Sequence, residues 1–85
     1  MDIPAILKKE FDDFIRLKFL SELTLLKEKI KLFQKKYDME FEQFEKKVHR
    51  EKENFSLWDD YIEWKAYEER VKELQAMLKE YEEHT

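Results

Sequence analysis

The fold of this chain is decided by residues 19–37, FLSELTLLKEKIKLFQKKY. Because an α-helix completes one turn in about 3.6 residues, apolar steps of four and three place every member on one face of the helix. This spacing is typical of a helix that packs lengthwise against another helix. The members are Phe19, Leu23, Leu26, Ile30, Phe33 and Tyr37.

The first helix is predicted to extend beyond this stretch, over about residues 4–36. Pro4 suits the first turn of a helix, and Phe11 and Ile15 continue the apolar face toward the amino terminus. At about 1.5 Å per residue this helix would be roughly 50 Å long, which is wider than a globule of this size. We therefore expect an elongated molecule or a kinked helix.

A matching stretch predicts the antiparallel neighbour, a third helix over about residues 57–82. Its start at Ser56-Leu57-Trp58-Asp59 resembles a capping box, with Asp59 at the third helical position. Its apolar residues again alternate steps of three and four, at Trp64, Tyr67, Val71, Leu74, Leu78 and Tyr81.

A short amphipathic helix is predicted between them, over about residues 40–50. Asp38 can adopt the left-handed conformation that ends a helix, or cap the helix that follows. We expect the short helix to pack around Trp58 and Ile62. The sequence therefore predicts an all-α hairpin of two long antiparallel helices joined through a short helix, as one domain over residues 1–85. The side chains that would make this contact are Phe41, Phe44 and Val48.

Composition supports this fold and narrows the cellular setting. The chain has no glycine, one proline and 45% charged residues, which argues against a β-rich fold because hairpin turns rely on glycine. The absence of cysteine, of a signal-peptide core and of a long apolar run favours a cytoplasmic protein away from membranes. Abundant lysine and glutamate indicate a thermophilic source, although long helices show the same bias.

A second set of apolar residues on the first helix points away from the hairpin seam. One helix cannot bury two faces against one neighbour, so another chain is expected to cover the surplus. We predict a homodimer; a compact single-chain bundle and a different protein partner remain alternatives. The predicted self-association residues are Ile6, Phe14, Leu17, Leu20 and Leu25.

The sequence offers no catalytic constellation. Its two histidines, His49 and His84, each follow a glutamate by four residues, whereas di-metal helical bundles use a step of three. Without glycine there is no phosphate-binding loop. We therefore expect no enzyme activity, no metal and no cofactor.

The aromatic segment 58–67 is the most distinctive candidate for binding. Residues 1–37 carry nine basic and six acidic side chains, and residues 38–85 carry eight basic and fifteen acidic. This asymmetry either helps the hairpin to close or complements a basic partner. We assign Trp64 to the core. The predicted partner-binding residues are Trp58 and Tyr61, flanked by Asp59, Asp60 and Glu63.

Nucleic-acid binding is not expected. Glu28 interrupts the basic cluster on the first helix, and arginine, the preferred base reader, is never clustered. A solvated lysine face explains the cluster better. Its members are Lys27, Lys29, Lys31, Lys35 and Lys36.

Two motifs resemble those of a family of small helical prokaryotic proteins that is frequent in archaea and thermophiles. They are Phe33-x-x-Lys36-Tyr37-x-Met39-x-Phe41-x-x-Phe44 and Glu53-Asn54-Phe55-x-x-Trp58-x-Asp60-Tyr61-x-x-Trp64-Lys65. The resemblance covers roughly residues 11–75. Many members have glycine in place of Asp38 and serine or threonine in place of Glu40.

Members of that family are often encoded beside a putative ribonuclease-like toxin and are described as antitoxins. The resemblance implies no catalytic residues and adds a basic toxin as a candidate partner. We therefore predict a non-enzymatic, antitoxin-like module that masks its partner through the aromatic segment and the acidic third helix. The alternatives are a coiled-coil-like oligomerisation module without inhibitory role and a DNA-binding regulator.

Overall fold

The computed structural model describes residues 5–83 and places them in three α-helices, α1 (Ala5–Tyr37), α2 (Phe41–Arg50) and α3 (Phe55–Glu83). α1 and α3 run antiparallel, with Phe19 beside Tyr81 at one end and Phe33 beside Trp64 at the other. The molecule measures 57 × 20 × 19 Å. The predicted all-α hairpin and its elongated shape are confirmed; its dimerisation stays a prediction.

The seam between α1 and α3 is built from the two predicted apolar faces. Phe33 stacks on Trp64 with the ring centroids 5.4 Å apart, and Phe19 meets Tyr81 edge to face at 6.1 Å. Trp64 is completely buried, so its assignment to the core is confirmed. Leu26, Ile30, Val71, Leu74 and Leu78 are buried between these two aromatic contacts.

The chain reverses through a left-handed residue and a capped helix start. Asp38 has φ 53°, the conformation that ends helices, as predicted. Glu40 precedes α2, and its backbone N–H donates to the side-chain oxygen of Gln43 at 3.2 Å. Asn54 caps α3 by accepting the backbone N–H of Leu57 at 3.3 Å. The predicted cap at Ser56 is wrong, because that residue already lies in the first turn of α3.

α2 closes the bend by packing on α1 and α3. The ring of Phe44, fully buried, lies 4.2 Å from that of Tyr37 and 5.0 Å from that of Trp64. Phe41 stacks on Tyr61 at 5.8 Å. The expectation that Ile62 joins this contact is wrong, because its side chain is exposed on the far side of α3.

α1 extends beyond the described end of α3 at the end of the molecule opposite the bend. Arg16 lies 4.0 Å from Glu82 near the described end of α3, so about ten residues of α1, or about 15 Å, extend past it. Phe11 lies in this extension and is exposed. The prediction that it continues the buried seam is therefore wrong. Within residues 5–83, no helix combines the length and apolar character that a membrane crossing requires.

Ion pairs across the seam partly follow the charge asymmetry of the sequence. Lys36 Nζ lies 2.7 Å from an Asp60 carboxylate oxygen, with the basic partner on α1. Arg70 Nε lies 2.8 Å from Glu22 Oε2, with the signs reversed. Since each pair has at least one side chain that is well exposed to solvent, each contributes modestly to stability.

Candidate protein-binding surfaces

Tyr61 belongs to the core, which corrects its assignment as a partner anchor. It is 6% exposed, and its hydroxyl donates a hydrogen bond to the Glu45 carboxylate at 2.6 Å. This bond, together with burial, raises the pKa of Tyr61 to about 12. Tyr61 is buried because α2 packs over this side of α3. The periodicity of α3 does not predict this burial, because it carries no information about where α2 lies.

Trp58 covers Tyr61 at the edge of the core. Its indole N–H donates to the backbone oxygen of Lys52 at 3.1 Å. Its ring packs edge to face on Tyr61 at 5.6 Å and lies 5.5 Å from His49. Trp58 is half-buried. Its ring therefore covers the edge of the core and is not free to insert into a partner protein.

Asp60 is also used within the hairpin. It accepts hydrogen bonds from Lys36 Nζ and from the Tyr37 hydroxyl. Partial burial by itself raises the pKa of the Asp60 carboxyl, but these hydrogen bonds and the charge of Lys36 outweigh it, so the pKa lies below its usual value. This carboxylate ties α1 to α3 and is not free to complement a basic partner.

The remaining predicted partner-binding residues, Asp59 and Glu63, lie on or next to the outer face of α3, which carries an apolar patch. Asp59 and Glu63 are exposed. Phe55 and Ile62 are 79% and 63% exposed and, with Asp59 between them, share one side of the helix. We call Phe55, Asp59 and Ile62 the outer α3 patch. Sequence reasoning missed Phe55, although its spacing of seven residues from Ile62 places both on one helix face.

A longer apolar stripe runs along α1, to one side of the seam. Its members are separated by seven, eleven and seven residues. At about 100° per residue they lie within about 20° of one direction, over a length of about 37 Å. Each is between 53% and 68% exposed. The members of this α1 stripe are Leu7, Phe14, Leu25 and Leu32.

The structure divides the predicted self-association residues. Phe14 and Leu25 belong to the α1 stripe. Leu17 and Leu20 are exposed but point about 70° and 130° away from it. The side chain of Ile6 lies outside the described residues. Leu7 and Leu32 complete the stripe, and their seven-residue spacing from Phe14 and Leu25 is the sequence signal that identifies them.

A shallow groove of about 370 Å³ opens beside the carboxyl end of the α1 stripe. Its walls include Leu32 and Phe33 from α1 and Tyr67 from α3. Lys29 lies over the Tyr67 ring, with Nζ 5.2 Å from the ring centroid. The stripe therefore ends in a depression with an apolar wall.

The described residues contain no group of histidine, aspartate and glutamate side chains that could hold a metal ion. His49 Nδ1 lies 2.7 Å from the carbonyl oxygen of Glu45; His84 lies outside the described residues. In the lysine cluster, Lys31 pairs with Glu28, and Lys36 pairs with Asp60. The described surface therefore presents exposed apolar side chains, in the α1 stripe and the outer α3 patch, with charged side chains next to them.

Comparison with known families places the whole hairpin in one of them. Residues 6–85 match the sequence model described as Uncharacterized protein MJ0235 family. The chain belongs to this family. The description of the MJ0235 family mentions neither a toxin nor an antitoxin. No curated protein and no solved structure is significantly similar to the chain.

Proposed function

We propose that this protein is a non-enzymatic protein-binding module whose first partner is a second copy of itself, bound through the α1 stripe. The observation that carries the proposal is the stripe. Four large apolar side chains lie along one side of α1, each at least half exposed. Apolar surface of this extent on a small chain marks a protein-interaction site.

The energetics of burying the stripe favour association. Completing the burial of a half-exposed leucine or phenylalanine contributes about 1–2 kcal/mol. In a dimer eight such side chains, four from each chain, become buried together, and their burial opposes the loss of translational and rotational freedom on association.

Sedimentation equilibrium of the wild type and two matched variants tests this proposal. Leu25→Glu places a charge in the α1 stripe, and Ile62→Glu places the same charge at a similarly exposed site in the outer α3 patch. We expect the wild type and Ile62→Glu to be dimers at 100 μM and Leu25→Glu to be a monomer. A monomeric wild type, or loss of the dimer in Ile62→Glu alone, would contradict the proposal.

The outer α3 patch supports a second candidate function, antitoxin-like masking of a basic protein. Phe55 and Ile62 are the most exposed large apolar side chains of α3, and the carboxylate of Asp59 lies between them. Apolar anchors beside carboxylates suit a partner with an apolar pocket in a basic surface. The oligomerisation module without inhibitory role is the alternative if no such partner exists.

Calorimetric titration with the product of a small basic reading frame adjacent to the gene tests this second candidate. We expect Ile62→Ala to weaken binding by tenfold or more and Asp59→Asn to weaken it less. Leu17→Ala, at an exposed site on α1, serves as the control and should bind as the wild type does. Absence of heat with the wild type would remove the candidate and leave the self-association proposal intact.

A further inference from the structure

The spacing of the α1 stripe is the same in both chain directions, and we infer from it how two copies pair. We propose that α1 packs against α1 of the second copy in antiparallel order, about a two-fold axis between Phe19 and Leu20. This inference rests on the proposed self-association and adds its geometry. Separations of seven, eleven and seven residues read the same in reverse, which is the condition for antiparallel pairing of the stripe with its own copy about a two-fold axis.

Antiparallel pairing matches every member of the α1 stripe with another. Leu7 meets Leu32 of the second copy, and Phe14 meets Leu25 of the second copy. Each contact occurs twice in the dimer because of the two-fold axis. A shift of one residue along the helix would rotate the facing side chains by about 100° and break all four matches.

The centre of the stripe favours antiparallel over parallel order. Lys18 and Ser21 occupy the gap between Phe14 and Leu25 and lie close to the direction of the stripe. In antiparallel order Lys18 faces Ser21 of the second copy, whose small side chain lets the helices approach closely. In parallel order Lys18 faces its own copy, and two like charges oppose each other.

The ends of the hairpin fit the same arrangement. The groove beside Leu32, with Phe33 and Tyr67 in its walls, lies where the antiparallel pair brings Leu7 of the second copy. The part of α1 that extends past α3 then lies along the partner hairpin instead of projecting into solvent. Both ends of the stripe are covered in this way.

The extent of the contact reaches the lower end of the range for specific interfaces. A stripe about 37 Å long on a helix about 10 Å wide presents roughly 400 Å² in projection. Both copies together then bury on the order of 1,000 Å² of accessible surface, the lower bound for a specific interface. Side chains at the edges, including Phe11, add to this area.

Disulfide trapping tests the pairing directly, because the chain contains no cysteine. Leu7→Cys and Leu32→Cys are made as separate single variants and oxidised alone and as an equal mixture. We expect covalent dimers chiefly in the mixture. In the antiparallel pair the two copies of either single cysteine lie about 37 Å apart, far beyond the roughly 7 Å between Cα atoms that a disulfide spans.

The possible outcomes distinguish the antiparallel pairing from the self-association on which it rests. Efficient cross-linking of Leu7→Cys alone would establish parallel order and overturn the inference while self-association stands. A dimer in sedimentation that forms no disulfide in any sample would also overturn the pairing. A monomer in sedimentation would overturn both. Circular dichroism of each variant checks that the helices are retained.

Discussion

At the scale of single residues, three tyrosine hydroxyls donate to carboxylates among the described side chains, and two of these bonds join different helices. Tyr37 donates to Asp60 across α1 and α3, and Tyr61 donates to Glu45 across α3 and α2. Tyr67 instead donates to Glu63, one turn away on α3. Hydrogen bonds to a charged acceptor are among the stronger ones, so those that join helices stabilise the bend directly.

Tyr61→Phe should lower the free energy of unfolding by about 1–2 kcal/mol at neutral pH. The variant keeps the ring stacked on Phe41 and removes only the hydrogen bond to the partly buried Glu45 carboxylate. Tyr67→Phe is the matched control and should cost less than about 0.5 kcal/mol, because its bond is exposed and local. Urea denaturation measures both, and equal losses would contradict this ranking.

The same hydroxyl predicts a loss of stability at alkaline pH. The pKa of Tyr61 is about 12 in the folded chain and about 10 in the unfolded chain, so the folded state favours the protonated phenol. Its contribution is fully present below pH 10 and is lost as the pH rises from 10 to 12. Urea midpoints between pH 9 and pH 12 should fall less steeply in Tyr61→Phe; parallel curves would contradict the assignment.

At the scale of elements, α2 is held by its apolar face rather than by its length. It has ten residues, too few for a stable isolated helix in water. Phe44 and Val48 on its inner face are completely buried. The order of α2 therefore depends on its contact with α1 and α3.

Phe44→Ala should destabilise the protein by about 3–5 kcal/mol, because it removes a fully buried ring and leaves a cavity beside Trp64. The control is Phe55→Ala, the same substitution at a ring that is exposed at the start of α3. It should change stability by no more than about 0.5 kcal/mol. Thermal unfolding compares the two variants, and hydrogen exchange should show α2 amides losing protection in Phe44→Ala alone. A melting temperature unchanged by Phe44→Ala would show that α2 is only loosely attached.

At the scale of the whole molecule, the hairpin buries one side of α1 and leaves another uncovered. A chain with extents of 57 × 20 × 19 Å has a large surface for its volume, so its single core is small. Association through the α1 stripe would add buried apolar surface between the two chains to the small core of each one.

The thermal midpoint of the wild type should therefore rise with protein concentration. A dimer that dissociates on unfolding is stabilised by mass action, whereas a monomer has a midpoint independent of concentration. Differential scanning calorimetry between 5 μM and 500 μM should show an increase for the wild type and for Ile62→Glu. Leu25→Glu should give a constant midpoint, and a constant midpoint in the wild type would contradict self-association through the stripe.

The candidate surfaces were only partly predictable from the sequence. Phe14 and Leu25 were identified because they lie opposite the seam in a periodic helix. The periodicity of α1 continues through Phe11 toward the amino terminus, but the described part of α3 does not reach that far, so Phe11 is exposed. Tyr61 was assigned to the surface because its position on α3 points away from the seam with α1. In the folded chain α2 packs over this position and buries the Tyr61 ring.

Helical periodicity, which is local and acts within a few turns, predicts the three helices, the seam from Phe19 to Tyr37 and the burial of Trp64. The exposure of Phe11 and Ile62 and the burial of Tyr61 depend instead on how the helices pack against one another. α2 covers Tyr61 and leaves Ile62 in solvent, and the offset between α1 and α3 leaves the amino-terminal turns of α1 without an α3 neighbour among the described residues. These outcomes depend on where one helix ends beside another, and periodicity within a single helix carries no information about that position.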